Sequence, residues 1–338
     1  MATLNPNKIT VLLNWAGRAV TADLSQFVIS ITYTESKRKK SAGRDRIQLT
    51  LNNQNGIFSN AWYPSEGDIL QPGVSWLDLI TAKRGVWRWG KFTIDDIQFR
   101  FGPDQVIIGA LASGPASDKF EQVNNRTWQN ISLKELCTTL AGEAGMECSF
   151  TGEDTILALV QQRNESPREL LQRLSEQYDL PVSLKDASLY VGKPSLGVLV
   201  VDLMNRSAVK SADIIAASKR NTTAAVSVHY YNAETKEAGV YSTGKATDEK
   251  HTQNFYNVDV KDAAEAKRWA ESKASGGGDK HEAESRITLI NTPVAVGQPV
   301  TLTNCGKLPA SWEIAEQTTT VSGSNWQAAI KMKKKGKK

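Results

Sequence analysis

In the first hundred or so residues, apolar side chains recur at every second position. Phe27, Ile29, Ile31 and Tyr33 alternate with Val28, Ser30, Thr32 and Thr34, and Ile47, Leu49 and Leu51 alternate with Arg46, Gln48 and Thr50. A period of two predicts strands with one buried face and one wet face. Phe92, Ile94, Ile97, Phe99 and Phe101 extend the pattern. Gly102-Pro103-Asp104-Gln105 then turns the chain into the apolar run 106–110, which predicts a hairpin. Short strands at this spacing, with no helical pattern between them, predict a small barrel or sandwich over 1–115.

The period then becomes helical. Leu133, Leu136, Cys137, Leu140, Ala141 and Ala144 fall on one helical face, and Leu170, Leu171, Leu174 and Tyr178 on another. The two stretches are copies. Aligned 34 residues apart, 132–150 and 166–184 share Ser132/Ser166, Glu135/Glu169, Leu136/Leu170, Leu140/Leu174 and Ser149/Ser183. Both open with Ser-x-x-Glu, the capping box in which serine accepts from the N3 amide and glutamate reaches back to the cap amide. Pro167 presets φ at the start of the second helix. A short apolar run precedes each helix and a short strand follows it, predicting two βα units. A solenoid of helical repeats is excluded, because each unit has one helix flanked by strands and there are only two units.

Strands return after about residue 205, at 225–231, 287–290, 300–303, 312–315 and 326–330. One helix interrupts them over 262–275, with Asp262 as cap, Glu265 as its N3 partner and Gly276-Gly277-Gly278 as the stop. The predicted class is α+β, mainly β. Two small barrel-like domains, 1–115 and 206–330, bracket a central insert over 116–205, and a lysine-rich tail occupies 331–338.

Composition adds a constraint on partners. At 338 residues, 40% hydrophobic and 23% charged, the chain reads as an ordinary soluble globular protein. No window approaches 18 uncharged apolar residues, so no membrane insertion is expected. Residues 1–10 lack the apolar core of a signal peptide, so folding in the cytoplasm is expected. The net charge of +5 is carried by the tail, whose six lysines exceed it; the remaining body is close to neutral. A second basic cluster, Lys37-Arg38-Lys39-Lys40 with Arg44 and Arg46, flanks Asp45 in a predicted hairpin loop. Two basic appendages on a neutral body fit solvated segments better than a nucleic-acid-binding domain, which would need phosphate contacts from the body.

The residues offer little for catalysis. Cys137, Cys148 and Cys305 are too few and too irregular for a disulfide framework or a zinc motif, and read as core thiols. The Asn-x-Ser/Thr triplets at Asn125, Asn130, Asn205 and Asn221 are not read as glycosylation sites, for want of a signal peptide. The histidines, His229, His251 and His281, sit in no metalloprotease, phosphate-loop or nucleophile-elbow motif. Asp95 and Asp96 are adjacent carboxylates; neighbours on a strand point to opposite faces, so they read as a strand end rather than a catalytic pair. Trp87 and Trp89 lie two apart on one strand face and are candidates for a subunit interface. No catalytic, cofactor-binding or metal-ligating residue is expected.

Two segments carry a resemblance. Thr127-Trp128-Gln129-Asn130-Ile131-Ser132-Leu133 opens the first helix. Asn164-Glu165-Ser166, then Leu171-Gln172-Arg173-Leu174 and Tyr178-Asp179, open and run through the second. With Gly90-Lys91-Phe92-Thr93-Ile94-Asp95 and Trp312-Glu313-Ile314, in order along most of the chain, these residues resemble the phage late control gene D family, the hub proteins of contractile-tail baseplates. The same fold forms the N-terminal part of VgrG spikes. Gln317 stands where the family often has a histidine, and the lysine tail is outside the family pattern. The resemblance implies a non-enzymatic virion structural protein of the tail baseplate, assembled in the host cytoplasm. It implies a homotrimer that joins a separate threefold spike protein to the sixfold tail tube protein, alongside other baseplate proteins. It implies no cofactor; by its charge alone, the lysine tail is the only segment through which nucleic-acid contact is expected. The alternatives are a tail-tip cell-wall hydrolase, or a nucleic-acid-binding protein acting through the basic loop and tail.

Overall fold

The computed structural model describes residues 7–16, 18–19, 24, 26–36, 45–79, 82–112, 118–178, 180, 182–185, 188–192, 196–216, 225–232, 237–244, 252–256, 263–275 and 285–334. The first β region holds β1 (Asn7–Trp15), β2 (Arg18–Ala19), β3 (Val28–Ser36), β4 (Arg46–Asn52), β5 (Ile69–Asp78), β6 (Arg84–Arg88), β7 (Phe92–Arg100) and β8 (Gln105–Ala112). The alternation seen in the sequence decides which side chains meet. Leu49 lies opposite Ile31 on one side and Ile108 on the other, and this row joins Tyr33, Ile47, Leu51, Phe92, Ile94 and Val106 in one core. β3 and β4 pair antiparallel across the basic loop, as a hairpin should. The loop's Lys37-Arg38-Lys39-Lys40 and Arg44 lie outside the described residues.

The central block runs β9 (Asn124–Ser132), α1 (Leu133–Glu143), β10 (Glu147–Phe150), β11 (Ile156–Glu165), α2 (Pro167–Tyr178), β12 (Val182–Lys185) and β13 (Ser188–Val191). The sequence copies are structural copies. β9 and β11 pair with each other antiparallel, while β10 and β12 flank β13 on its two sides. The leucines of both helices, with Cys137, Leu157, Leu189 and Val191, close a core of their own.

The last region holds β14 (Leu199–Asp202), β15 (Val209–Asp213), β16 (Ala225–Asn232), β17 (Glu237–Gly244), β18 (Thr252–Phe255), α3 (Ala263–Ser275), β19 (Ser285–Ile290), β20 (Pro299–Thr303), β21 (Ser311–Ser322) and β22 (Asn325–Lys334). β16, β17 and β18 form a three-stranded sheet under α3, with Val226, Val228, Ala266 and Ala270 between them. The expected helix is found over Ala263–Ser275; Asp262, its expected cap, and Gly276-Gly277-Gly278 lie outside the described residues.

The fold is mainly β with three α-helices among the described residues, as expected. Its β regions are joined in a way the pattern did not reveal. β21 pairs antiparallel with β3, from Glu316 opposite Ser36 to Val321 opposite Ile31. Strands from both flanks therefore lie in one sheet of 14 strands, and the described pairings follow an open path rather than closing a barrel. Val321 and Trp326 are buried in the first region's core, where Trp326 tilts against Trp76 at 5.1 Å between ring centroids.

A buried polar cluster lies under this seam. Gln317, 1% exposed, donates through Nε2 to Glu35 Oε2 at 2.6 Å and to the Val294 carbonyl at 2.7 Å. Its own oxygen accepts from the Thr319 hydroxyl at 3.0 Å. Glu35, 5% exposed, also accepts from the Val296 amide at 3.2 Å. Beside it the Tyr33 hydroxyl donates to Asp45 at 2.6 Å. Burial raises the Tyr33 pKa well above its usual value, and the negative charges of Asp45 and Glu35 add to the rise, so the hydroxyl stays a donor. Buried polar groups are costly unless bonded, so this cluster holds the two flanks in one arrangement.

The tail expectation needs a correction. Residues 331–334 belong to β22: Met332 is fully buried, and Lys331 donates to Glu316 at 2.8 Å. Ile330 and Met332 face the core while Lys331 and Lys333 alternate with them, so the lysine run begins as the wet face of a strand. Residues 335–338 lie outside the described set. We predict that Gln317→Ala lowers unfolding stability by about 1–3 kcal/mol, because it removes two buried hydrogen bonds, one of those that Glu35 accepts and the one to the Val294 carbonyl. Thr320→Ala, on the wet face of the same strand, should cost less than about 0.5 kcal/mol. Urea denaturation of both variants checks the difference.

Candidate assembly surfaces

Several residues that carry the resemblance have positions that can be explained physically. Asn130 and Asn164, 34 residues apart, both have positive φ, 50° and 49°. Asparagine tolerates the left-handed region better than other residues bearing a Cβ. Each sits two residues before a capping serine, near the end of the strand that leads into its helix. This pair extends the repeat, and alignment from the serines onward misses it. At α2 the capping box is complete: Ser166 N–H donates to Glu169 Oε2 at 2.7 Å and Glu169 N–H to Ser166 Oγ at 3.3 Å. At α1 the serine half is present, with Glu135 N–H donating to Ser132 Oγ at 3.1 Å, while Asp154 takes the Lys134 amide at 3.0 Å.

The charged members of the motif bind neighbouring turns. Arg173 donates to Glu165 at 2.5 Å and to the Gln161 carbonyl at 2.7 Å, clamping the end of β11 onto α2. In the first copy Arg126 lies 5.1 Å over the Trp128 ring and grips both oxygens of Glu143 at 2.7 and 2.9 Å. The Tyr178 hydroxyl donates to Glu265 at 3.0 Å, linking α2 to α3. Burial raises the Tyr178 pKa, reinforced by Glu265 and offset in part by Arg268 and Arg173. Glu265 therefore receives a hydrogen bond from the central block; its expected cap partner, Asp262, lies outside the described residues. Asp179 lies outside the described residues.

The other candidates resolve into structural or surface positions. Trp87 and Trp89 share a face, but that face turns inward. Trp89 is 5% exposed and stacks on Tyr33 at 5.8 Å, and Trp87 is half-buried against the same core. Trp89 is thus not an interface anchor. Asp95 and Asp96 lie inside β7, not at its end. A break in register between Ile94 and Asp96 leaves both exposed, and Arg46 pairs with Asp96 at 3.7 Å across Gly109. The argument from opposite faces fails at this bulge. His229 stacks on Tyr256 at 4.4 Å, while His251 and His281 lie outside the described residues. Cys137 is buried, and burial pushes its thiol up to about 12, with smaller contributions from Cys148 and Asp154; such a thiol is a poor nucleophile. Cys148 and Cys305 are half-buried against the second and third cores. A hollow of about 350 Å³ lies along α1 and is lined by Ser132, Lys134, Glu135, Thr138, Thr139, Gly142 and Glu143. Among the described residues no group of three or more His, Cys, Asp or Glu could hold a metal ion, and no helix is long and apolar enough to cross a membrane.

Comparison with known proteins follows the same direction as the motifs. No protein-family model matches the chain. Over 202 residues it is 25% identical to the probable baseplate hub protein of Escherichia phage P2, which covers 58% of this chain and 48% of that protein. The chain thus spans about half the length of this curated relative. Its fold matches the 43 kDa tail protein of prophage MuSo2 from Shewanella oneidensis, with a TM-score of 0.66 at 14% identity over 96% of this chain and 98% of that one. It also matches a chain of the Francisella PdpA–VgrG complex, with a TM-score of 0.53 at 11% identity, over 99% of this chain and 53% of that one. The resemblance read from the motifs is borne out: the chain is similar to phage baseplate hub proteins and has the fold of phage tail proteins and of a chain in a PdpA–VgrG complex.

The left-handed asparagines give a direct test of this structural reading. Asn130→Val and Asn164→Val should each cost about 1–2 kcal/mol, because a β-branched side chain is strained at positive φ. Asn→Gly at the same positions should be close to neutral. Equilibrium denaturation of the four single variants checks the sign at each position.

Proposed function

We propose that the protein is a structural baseplate hub of a contractile, phage-like tail. In this reading it is a homotrimer that adapts a separate threefold spike protein to the sixfold tail tube protein, within a baseplate that includes other proteins. The observation that carries the reading is the sequence similarity to a baseplate hub protein in a chain whose whole length has a tail-protein fold. The flanking β regions, 1–115 and 206–330, are proposed as the two ring-forming units of each subunit, and 116–205 as the insert between them. Their barrel-like character belongs to the same proposal. The seam between β3 and β21 supports the adaptor role, because it fixes the two units relative to each other within one subunit. Rings of this kind close through heterologous contacts between neighbours.

The role is structural rather than enzymatic, and it is exercised in the virion tail after assembly in the host cytoplasm. The motif residues support this, since Asn164, Glu165, Ser166, Arg173 and Tyr178 hold turns, caps and helices together. The basic-loop and tail alternative is weakened by Lys331, which is engaged with Glu316 at 2.8 Å. Co-expression with the spike protein of the same particle, followed by native mass spectrometry, tests the proposal. The expected mass is three copies of the 37.0 kDa chain with the spike. A chain that stays monomeric in the presence of its spike would overturn it.

A further inference from the structure

Two hairpins, β5–β6 and β16–β17, share one residue pattern at a constant spacing of 154 positions. Val74 and Val228, Trp76 and Tyr230, Gly85 and Gly239, Val86 and Val240, and Trp87 and Tyr241 correspond. The registers agree pair for pair. Val74 lies opposite Trp87, Ser75 opposite Val86 and Trp76 opposite Gly85 in the first hairpin. Val228 lies opposite Tyr241, His229 opposite Val240 and Tyr230 opposite Gly239 in the second. In both, the aromatic ring lies so close over the glycine that a Cβ there would overlap it. An interior glycine weakens a strand, and a cross-strand ring that covers it is one way to restore packing. The second aromatic of each copy lies on the same face and packs into the local core. The opposite face presents the valine, 59% exposed at Val86 and 59% at Val240.

Both hairpins end on an edge that no other described strand covers. Among the described strands, β6 pairs only with β5 and β17 only with β16. Such an edge presents unpaired N–H and C=O groups at the spacing of an added strand. The side chains on either side of the valines differ, Arg84 and Arg88 in one copy and Ala238 and Ser242 in the other. What the copies share is the main-chain edge and the exposed valine.

We propose that these hairpins are two copies of one contact element, each accepting an extended strand from a partner ring built of identical chains. The partner is recognised by main-chain hydrogen bonding along β6 and β17, with small apolar side chains against Val86 and Val240. Two matched edges on one chain fit a partner that presents the same site more than once. This rests on the hub reading, in which the ring of identical chains is the tail tube.

The test uses the full chain assembled with its spike, carrying Val86→Glu, Val240→Glu or both, and measures nucleation of purified tail tube protein. Each single variant should reduce nucleation about tenfold and the double variant further, since the contacts are separate and their energies add. Val86→Thr with Val240→Thr, which keeps β propensity and adds no charge, should nucleate within a few-fold of the unaltered chain. If the double glutamate variant forms the trimer and nucleates tubes normally, the proposal is overturned while the hub reading stands. If the glutamate variants lose the trimer itself, the edges join copies of this chain to each other, which also overturns it. If the unaltered trimer nucleates no tube, the hub reading falls and this proposal with it.

Discussion

The pairing of β3 with β21 is the constraint on which the rest of the structure depends. It joins strands that are far apart in sequence, and it is closed from below by Gln317, Glu35 and Thr319. Long-range pairing carries a loop-closure cost that local hairpins avoid, so it must be repaid by specific contacts. Here these are the ladder itself, the burial of Val321 and Trp326 in the first region's core, and a polar cluster whose bonds are satisfied only when both flanks are in place. Slipping β21 by one residue would bring Gln317 to the wet face and Thr318 into the core, which sets the register.

Seen from the seam, the central block is an excursion with its own core. Its two βα copies pair with each other through β9 and β11, and they touch the last region through Tyr178 and Glu265. This explains why the most recognisable residues are also the least reactive. Asn164 turns the chain, Ser166 caps α2, and Glu165 and Arg173 fix that turn to the helix. A signature made of caps and clamps identifies a fold, and the proposed hub role rests on similarity to a baseplate hub protein.

Much of this was legible in the residues. Periods of two and 3.6 placed most strands and the three helices, and the Ser-x-x-Glu repeat located both helix starts. The misses have physical causes. Alternation reports which face is buried but not which strand lies alongside, so the partnership of Tyr33 with Thr319 could not be read. A bulge defeats the opposite-faces rule, as it does at Asp95 and Asp96. A lysine run looks like a tail until the intervening Met332 is seen to be core. Trp87 and Trp89 were correctly placed on one face, but period alone does not say whether that face is wet. Asn130 and Asn164 were a missed signal: paired asparagines at the repeat spacing, each just before a helix cap, are a readable mark of left-handed turns.

The central claim is that the two flanking β regions form one cooperative unit through β3 and β21. Native-state hydrogen exchange tests it most directly. The account predicts that amides in β3, β4, β21 and β22 exchange only through a shared opening, at the free energy of global unfolding. Exchange of β3 and β4 at a distinctly lower free energy, while β21 and β22 stay protected, would show that the flanks unfold separately and would contradict it.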